Sequence, residues 1–214
     1  MSVRIGTFRS TSLAFLVLSV LVALCLAIVP ARAQDLVAQT GDLFVANQTI
    51  NTIREFSPTG ADLGNFATTG LNGPTGLAFD KRGNLYVSNI NGDTIRRFSP
   101  TGQDLGDFAT TGLSSPRGIA FDKHGNLYVA NVSWIREFSP TGHDLGNFAT
   151  TGLNTPAGLV FDKDNNLYVS NRGDGTIRRF SRSGTDLGYF ATTGMITPVG
   201  LAFGPEPEDQ DGDA

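Results

Sequence analysis

The sequence predicts an all-β fold, a β-propeller of four-stranded antiparallel blades, four in number and closed by pairing of the C-terminal strand with the first blade. Three observations lead there. A unit of about 42 residues recurs with near-identical wording: the valines of its best-kept segment fall at Val45, Val87, Val129 and Val169, spacings of 42, 42 and 40. Each unit carries four short runs rich in Phe, Tyr, Val, Ile and Thr, separated by Gly, Asn and Asp turn chemistry. Within the runs the polarity alternates with a period of two, as in Leu77-Ala78-Phe79-Asp80, and no stretch beyond the leader has helical periodicity.

The chain opens on a basic segment with Arg4 and Arg9, followed by apolar residues from Leu13 to Val29 broken only by Ser19. Pro30 then precedes Ala31-Arg32-Ala33, a small-x-small pattern before Gln34. That order is what a secretory signal peptide requires, so residues 1–33 are expected to be a cleaved leader and the protein secreted or periplasmic. The alternative is an uncleaved N-terminal anchor with the remainder facing outside. A lipoprotein leader does not fit, because Cys25 follows Leu24 and lies inside the apolar run. Cys25 is the sole cysteine, so a processed chain has no disulfide, thiolate metal site or cysteine nucleophile. Beyond the leader 13 basic residues face 20 acidic ones, and five of the acids crowd the last nine positions. The repeats are therefore close to neutral, which argues against nucleic acid as a partner. Once the leader is removed nothing calls for a membrane.

After a short N-terminal segment, 34–40, the repeats occupy 41–203, divided at about 41–73, 74–115, 116–155 and 156–197, with a closing strand at 198–203. Residues 204–214 form an acidic tail expected to be disordered. The second strand of each unit reads Leu43-Phe-Val-Ala-Asn47, Leu85-Tyr-Val-Ser-Asn89, Leu127-Tyr-Val-Ala-Asn131 and Leu167-Tyr-Val-Ser-Asn171. An Ile-Arg-(Glu/Arg)-Phe-Ser strand follows, then Asp-Leu-Gly-x-Phe-Ala-Thr-Thr-Gly, then Pro-x-Gly-(Leu/Ile)-(Ala/Val)-Phe beginning at Pro74, Pro116, Pro156 and Pro198. Four strands in about 42 residues suits a propeller blade better than a solenoid coil, and a lone hairpin could not bury these aromatics. The array begins inside a unit and ends after a first strand, so joining 198–203 to the opening segment would make four whole blades and protect the sheet edges. An open array, a larger ring of two chains, and a degenerate first strand in Asp35-Leu-Val-Ala-Gln-Thr40 are the alternatives.

Pro74-Thr-Gly-Leu-Ala-Phe-Asp80, Gly83-Asn-Leu-Tyr-Val-Ser-Asn89 and Thr94-Ile-Arg-Arg-Phe98 together resemble the NHL repeat, and the resemblance recurs in every unit over residues 41 to 203. It implies a propeller. Propellers of that family commonly have about six blades, a count this chain does not fit. The chain also departs from the family at Asn47, Asn89, Asn131 and Asn171, where such repeats often carry Asp followed by Asn-x-Arg. Some NHL-like and gluconolactonase-like propellers are metal-dependent lyases or hydrolases, but their metal residues have no match here, and no cofactor is expected.

The chemistry-bearing residues are sparse. His124 and His143 stand at turn positions that other units fill with Arg82 and Asp164, or with Ala61, Gln103 and Thr185, so they are expected to be solvated turn residues. Arg172-Gly-Asp174 spells an integrin-recognition tripeptide, but the matching Asn91-Gly-Asp93 marks it as turn chemistry. Asp162-Lys-Asp-Asn-Asn166 and Asp209-Gln-Asp-Gly-Asp213 are fragments of calcium loops without a full ligand set. Asn47-Gln-Thr49 and Asn131-Val-Ser133 are glycosylation sequons.

The candidate ligand-binding residues are Asn47, Asn89, Asn131 and Asn171, each at the end of a second strand, and the variable residues of Pro-x-Gly near the axis, chiefly Thr75 and Arg117. For the asparagines a turn-capping role competes with ligand contact. Arg117 is the one charge among Thr75, Arg117, Ala157 and Val199. Alternating signs at Glu55, Arg97, Glu137 and Arg179 point to duplication of a two-unit block, with charge contacts between blades as the sharper reading. Phe79, Phe121, Phe161 and Phe203 of the first strands and Phe66, Phe108, Phe148 and Phe190 of the last are expected to fill the space between sheets. The expected function is an exported, non-catalytic binding or scaffold module for protein or glycan. A metal-dependent lyase or hydrolase and a structural surface or matrix component are the alternatives.

Overall fold

A computed structural model describes residues 41–204. The leader (1–33) with Cys25, the segment 34–40 and the acidic tail beyond 204 lie outside the described residues. Among the described residues no helix is long and apolar enough to cross a membrane.

Among the described residues, fifteen strands form four antiparallel sheets, one per repeat. The first holds β1 (Leu43–Asn47), β2 (Thr52–Phe56) and β3 (Asp62–Ala67). The second runs β4 (Pro74–Phe79), β5 (Leu85–Asn89), β6 (Thr94–Phe98) and β7 (Asp104–Ala109). The third runs β8 (Ile119–Phe121), β9 (Leu127–Ala130), β10 (Ile135–Phe138) and β11 (Asp144–Ala149). The fourth runs β12 (Pro156–Phe161), β13 (Leu167–Asn171), β14 (Thr176–Phe180) and β15 (Asp186–Ala191). Within each sheet sequential strands are spatial neighbours, the up-and-down order of a propeller blade.

The turns that reverse the chain are written in the sequence. Asp80 Oδ1 accepts from the backbone N–H of Arg82 (2.8 Å) and Asn84 (2.9 Å), which closes the turn between first and second strands. Asp122 does the same for His124 and Asn126, which places His124 in a turn as its exchange with Arg82 and Asp164 predicts. Between third and fourth strands, Ser57, Ser99, Ser139 and Ser181 accept at Oγ from the residue four positions on, at 3.1–3.2 Å.

Three apolar cores lie between consecutive blades, each built from unlike faces. One face of the pair centres on the second-strand aromatic. Tyr86 meets Phe108 of its own blade (4.8 Å between ring centroids) and Phe121 of the next (4.9 Å), both edge-on. The triads Phe44–Phe66–Phe79, Tyr128–Phe148–Phe161 and Tyr168–Phe190–Phe203 repeat the pattern. The opposing face offers the second-strand Leu and Val and the third-strand Phe of the following blade. Leu85, Val87 and Phe98, and their counterparts in the third and fourth blades, are 0% exposed. The first- and last-strand phenylalanines thus do contact across the sheets as the sequence predicts. The fully buried rings, however, are Phe98, Phe138 and Phe180 of the third strands, whereas Phe79 is partly open.

A charged fork on each blade ties the outer strands together. Arg54, Arg96, Arg136 and Arg178 bind Asp62, Asp104, Asp144 and Asp186, with Nη2 to Oδ2 distances of 2.5–2.7 Å. The guanidinium beside each of these aspartates holds its carboxyl below the usual range. The charges that alternate along the array are used differently. Glu137 accepts from Tyr128 Oη (2.8 Å) and Asn126 Nδ2 (3.0 Å), both of its own blade.

The closing strand expected at 198–203 lies against the fourth blade but pairs with no strand among the described residues, where the first sheet has three strands. Phe203 stacks on Tyr168 at 5.2 Å, and Ser170 Oγ donates to Val199 O at 3.0 Å. Both contacts join the segment to the blade preceding it in sequence. Neither touches β1.

Candidate functional site

The first strands of successive blades run side by side along the axis, and the residues at their starts decide how closely. Gly76, Gly118 and Gly158 of the Pro-x-Gly segments face the carbonyl oxygen of the next inner strand. A Cβ at these positions would lie 2.2, 2.0 and 2.1 Å from Arg117 O, Ala157 O and Val199 O. Only glycine admits that approach. Gly118 N donates directly to Ala157 O at 2.8 Å. In the second and fourth blades a serine mediates instead. Ser88 Oγ accepts from Gly76 N (2.7 Å) and donates to Arg117 O, and Ser170 Oγ accepts from Gly158 N (2.7 Å) and donates to Val199 O. Ala46 and Ala130 occupy the matching positions in the other two units, so the bridges alternate with the two-unit block.

This belt encloses an axial groove of about 650 Å³. Thr75, Arg117, Ala157 and Val199, the variable residues of the four Pro-x-Gly segments, all line it. The backbone of Arg117 is held on both sides, by Ala130 O (2.9 Å from its N) and by Ser88 Oγ at its carbonyl. Thr75 Oγ1 lies 3.2 Å from Pro116 O and 3.0 Å from Ser88 Oγ, which ties it into the same network.

The four asparagines sit elsewhere and are occupied locally. Asn89 Oδ1 accepts from Asn72 N at 3.0 Å, while its Nδ2 donates to Gly70 O (3.0 Å) and Thr94 Oγ1 (3.1 Å). Asn171 repeats this with Asn154, Gly152 and Thr176. Asn131 Oδ1 accepts from Ser114 N at 2.7 Å, and Asn47 Nδ2 donates to Thr52 Oγ1 at 3.2 Å. Asn89, Asn131 and Asn171 clasp the loop entering their blade to the end of its second strand, while Asn47 bonds to the start of β2, and none of the four lines the groove.

Sequence reasoning missed Arg172, which lines the groove beside Gln48 and Thr197. It had been absorbed into Arg-Gly-Asp as turn chemistry. Its Asp174 is indeed a turn residue, accepting from Thr176 Oγ1 at 2.7 Å. The signal was comparison by column: Arg172 aligns with Gln48, Ile90 and Val132, the residue directly after each clasping asparagine. Among the described residues of the lining, Arg117 and Arg172 carry the charge, and there is no carboxylate, imidazole or thiol. Neither guanidinium has a partner among the described residues, whereas the fork arginines are all paired. Chemically, such a groove attracts and orients an anion. The described lining residues include no carboxylate or imidazole to take a proton, and no cluster of three or more His, Cys, Asp or Glu side chains occurs among the described residues.

No family model matches the sequence, and no curated protein is similar to it by sequence. Solved structures are similar in fold. A candidate gluconolactonase aligns over 79% of this chain and 66% of its own, with TM-score 0.66 and 18% identity. The nidogen/laminin complex aligns over 75% and 63%, with TM-score 0.67 and 20% identity. A virginiamycin B lyase from Staphylococcus aureus aligns over 77% and 57%, with TM-score 0.63 and 18% identity. The chain thus spans less than two thirds of the length of these structures. At such identities the likeness establishes the architecture alone, a β-propeller fold.

Proposed function

We propose that this chain is an exported, non-catalytic binding module whose axial groove receives an anionic group carried by a protein or a glycan. The observation that carries the reading is the pair Arg117 and Arg172, cations without a partner among the described residues, in a groove whose described lining holds no acid. Guanidinium groups bind carboxylate, sulfate or phosphate through two parallel hydrogen bonds. Thr75, Thr197 and Gln48 supply neutral donors and acceptors at the same rim. Export rests on the order of segments in residues 1–33. A protein partner gains some support from the nidogen/laminin complex, a protein–protein assembly that contains this fold.

Titration calorimetry with acidic peptides in one arm and uronate oligosaccharides in the other, at low salt, tests the reading and separates the two carriers. Arg117→Ala and Arg172→Ala are each expected to weaken the bound anion about tenfold or more, the loss of one charge-assisted hydrogen-bond pair at a partly open site. Unchanged affinity in both variants would refute it. Turnover of a lactone or ester substrate that depends on added metal would establish the lyase or hydrolase alternative instead.

A further inference from the structure

The two ends of the array are halves of one blade junction. At each internal junction the first strand of a blade makes two sets of contacts. It packs on the blade before it, through the Phe–aromatic stack and the serine or glycine bridge, and it pairs edge to edge with its own second strand. Residues 198–203 have made the first set. Phe203 lies 5.2 Å from Tyr168, against 4.8–5.0 Å for the three internal equivalents, and Val199 O accepts from Ser170 Oγ as Arg117 O does from Ser88. The second set is unmade. Phe203 is 50% and Val199 58% exposed. Gly200 also has nothing within 4 Å of where a Cβ would be, whereas Gly76, Gly118 and Gly158 each meet a carbonyl of the first strand of the following blade, the neighbour a docked copy would supply.

The other end shows the complement. The first sheet has a second, third and fourth strand, and among the described residues nothing pairs with the outer edge of β1. Its Leu43 is 61% and Val45 37% exposed, whereas the same two residues of every later blade are fully buried.

We propose that a second copy of this chain docks head to tail, its β1–β3 sheet pairing with residues 198–203 to complete a hybrid blade. The register is that of the second blade, where Pro74, Leu77, Ala78 and Phe79 oppose Asn89, Val87, Tyr86 and Leu85. Pro198 therefore opposes Asn47 of the other copy, Leu201 opposes Val45, Ala202 opposes Phe44 and Phe203 opposes Leu43. The sequence Pro198-Val-Gly-Leu-Ala-Phe203 differs from Pro74-Thr-Gly-Leu-Ala-Phe79 at one position, so the edge finds the strand it is built to accept. The new interface continues the three internal cores with the same residue types, the condition for a well-packed junction. Because the two patches differ, the contact is heterologous and forms a ring or a chain of copies according to whether the rotation closes.

The test uses two full-length single-cysteine chains, both carrying Cys25→Ser, one with Val45→Cys and one with Leu201→Cys. Mixed and oxidised, they are expected to give a covalent dimer that neither chain gives alone. In sedimentation equilibrium the full chain is expected to exceed the mass of one copy, and Leu43→Lys, at an exposed site that leaves folding intact, to weaken association at least tenfold. Association that survives Leu43→Lys would belong to another surface and overturn the proposal, as would dimers formed by either single variant alone. A chain carrying both cysteines that links only to itself would also overturn it, in favour of closure within one molecule.

Discussion

Replacing Gly118 by alanine tests the close approach of the inner strands, because the sequence contains its own control. The backbone there lies outside the left-handed region, so alanine suffers no torsional strain and the cost is one of space. Its Cβ would come 2.0 Å from Ala157 O. Relief to a tolerable separation of about 3.2 Å moves the strands apart by roughly 1 Å. The Gly118 N to Ala157 O hydrogen bond, now 2.8 Å, is then broken. An inner-strand hydrogen bond left unmade costs about 1–3 kcal/mol, and forcing extra volume into a packed junction costs about 1–3 kcal/mol more. The variant should lose about 2–6 kcal/mol in urea unfolding followed by far-ultraviolet circular dichroism on dilute protein. Gly200→Ala places the same methyl in the same motif with nothing within 4 Å, and should stay within about 0.5 kcal/mol of the parent. A Gly118→Ala variant as stable as the parent would refute the reasoning, and so would a Gly200→Ala variant that loses as much.

Other outcomes follow from the same architecture. Phe138→Ala empties a fully buried site and should cost about 3–5 kcal/mol, while Phe56→Ala at the open end of the array should cost clearly less in the same urea titration. The fork aspartates have folded pKa values below their unfolded ones, so their stabilisation is complete above the ordinary carboxylate range and fades as pH falls through the lowered values. The urea midpoint should therefore be level from about pH 5 to 7 and decline below about pH 4. Asp104→Asn should flatten that decline, and an unaltered slope would exclude the fork as its cause. Ser88→Ala should cost less than about 1 kcal/mol, because the third blade shows Gly118 bridging to its neighbour without a serine. A loss of several kcal/mol would show the hydroxyl to be indispensable.

The blade was legible because its strands obey a period of two and its turns use residues with one geometry, so the sequence alone places Asp80 and Ser99 in turns. The repeat itself did much of the rest. A residue constant across columns is structural, as the clasping asparagines are, and a residue that varies in a fixed column, such as Arg117, faces something individual. Arg172 escaped because it was read along the chain as a tripeptide rather than down its column. The Arg–Asp forks also went unread, since Arg96 and Asp104 become neighbours only through the irregular register of β6 against β7. The fate of residues 198–203 could not be read from the sequence, because a first strand is equally at home against the blade before it and beside its own second strand. Which contact forms first depends on geometry that local wording does not encode.

Each core in this molecule is shared by two consecutive blades, so the contribution of any blade depends on having companions on both sides. The second and third blades have them, while the first and fourth are supported from one side by internal cores. In an isolated copy opening should therefore begin at the extremities and travel inward, with amide hydrogens of β5 and β9 exchanging last and those of β1 and β15 first. A protease meeting this protein would shorten it one unit at a time, and lengthening the row by another duplication would turn a fraying end into a protected middle.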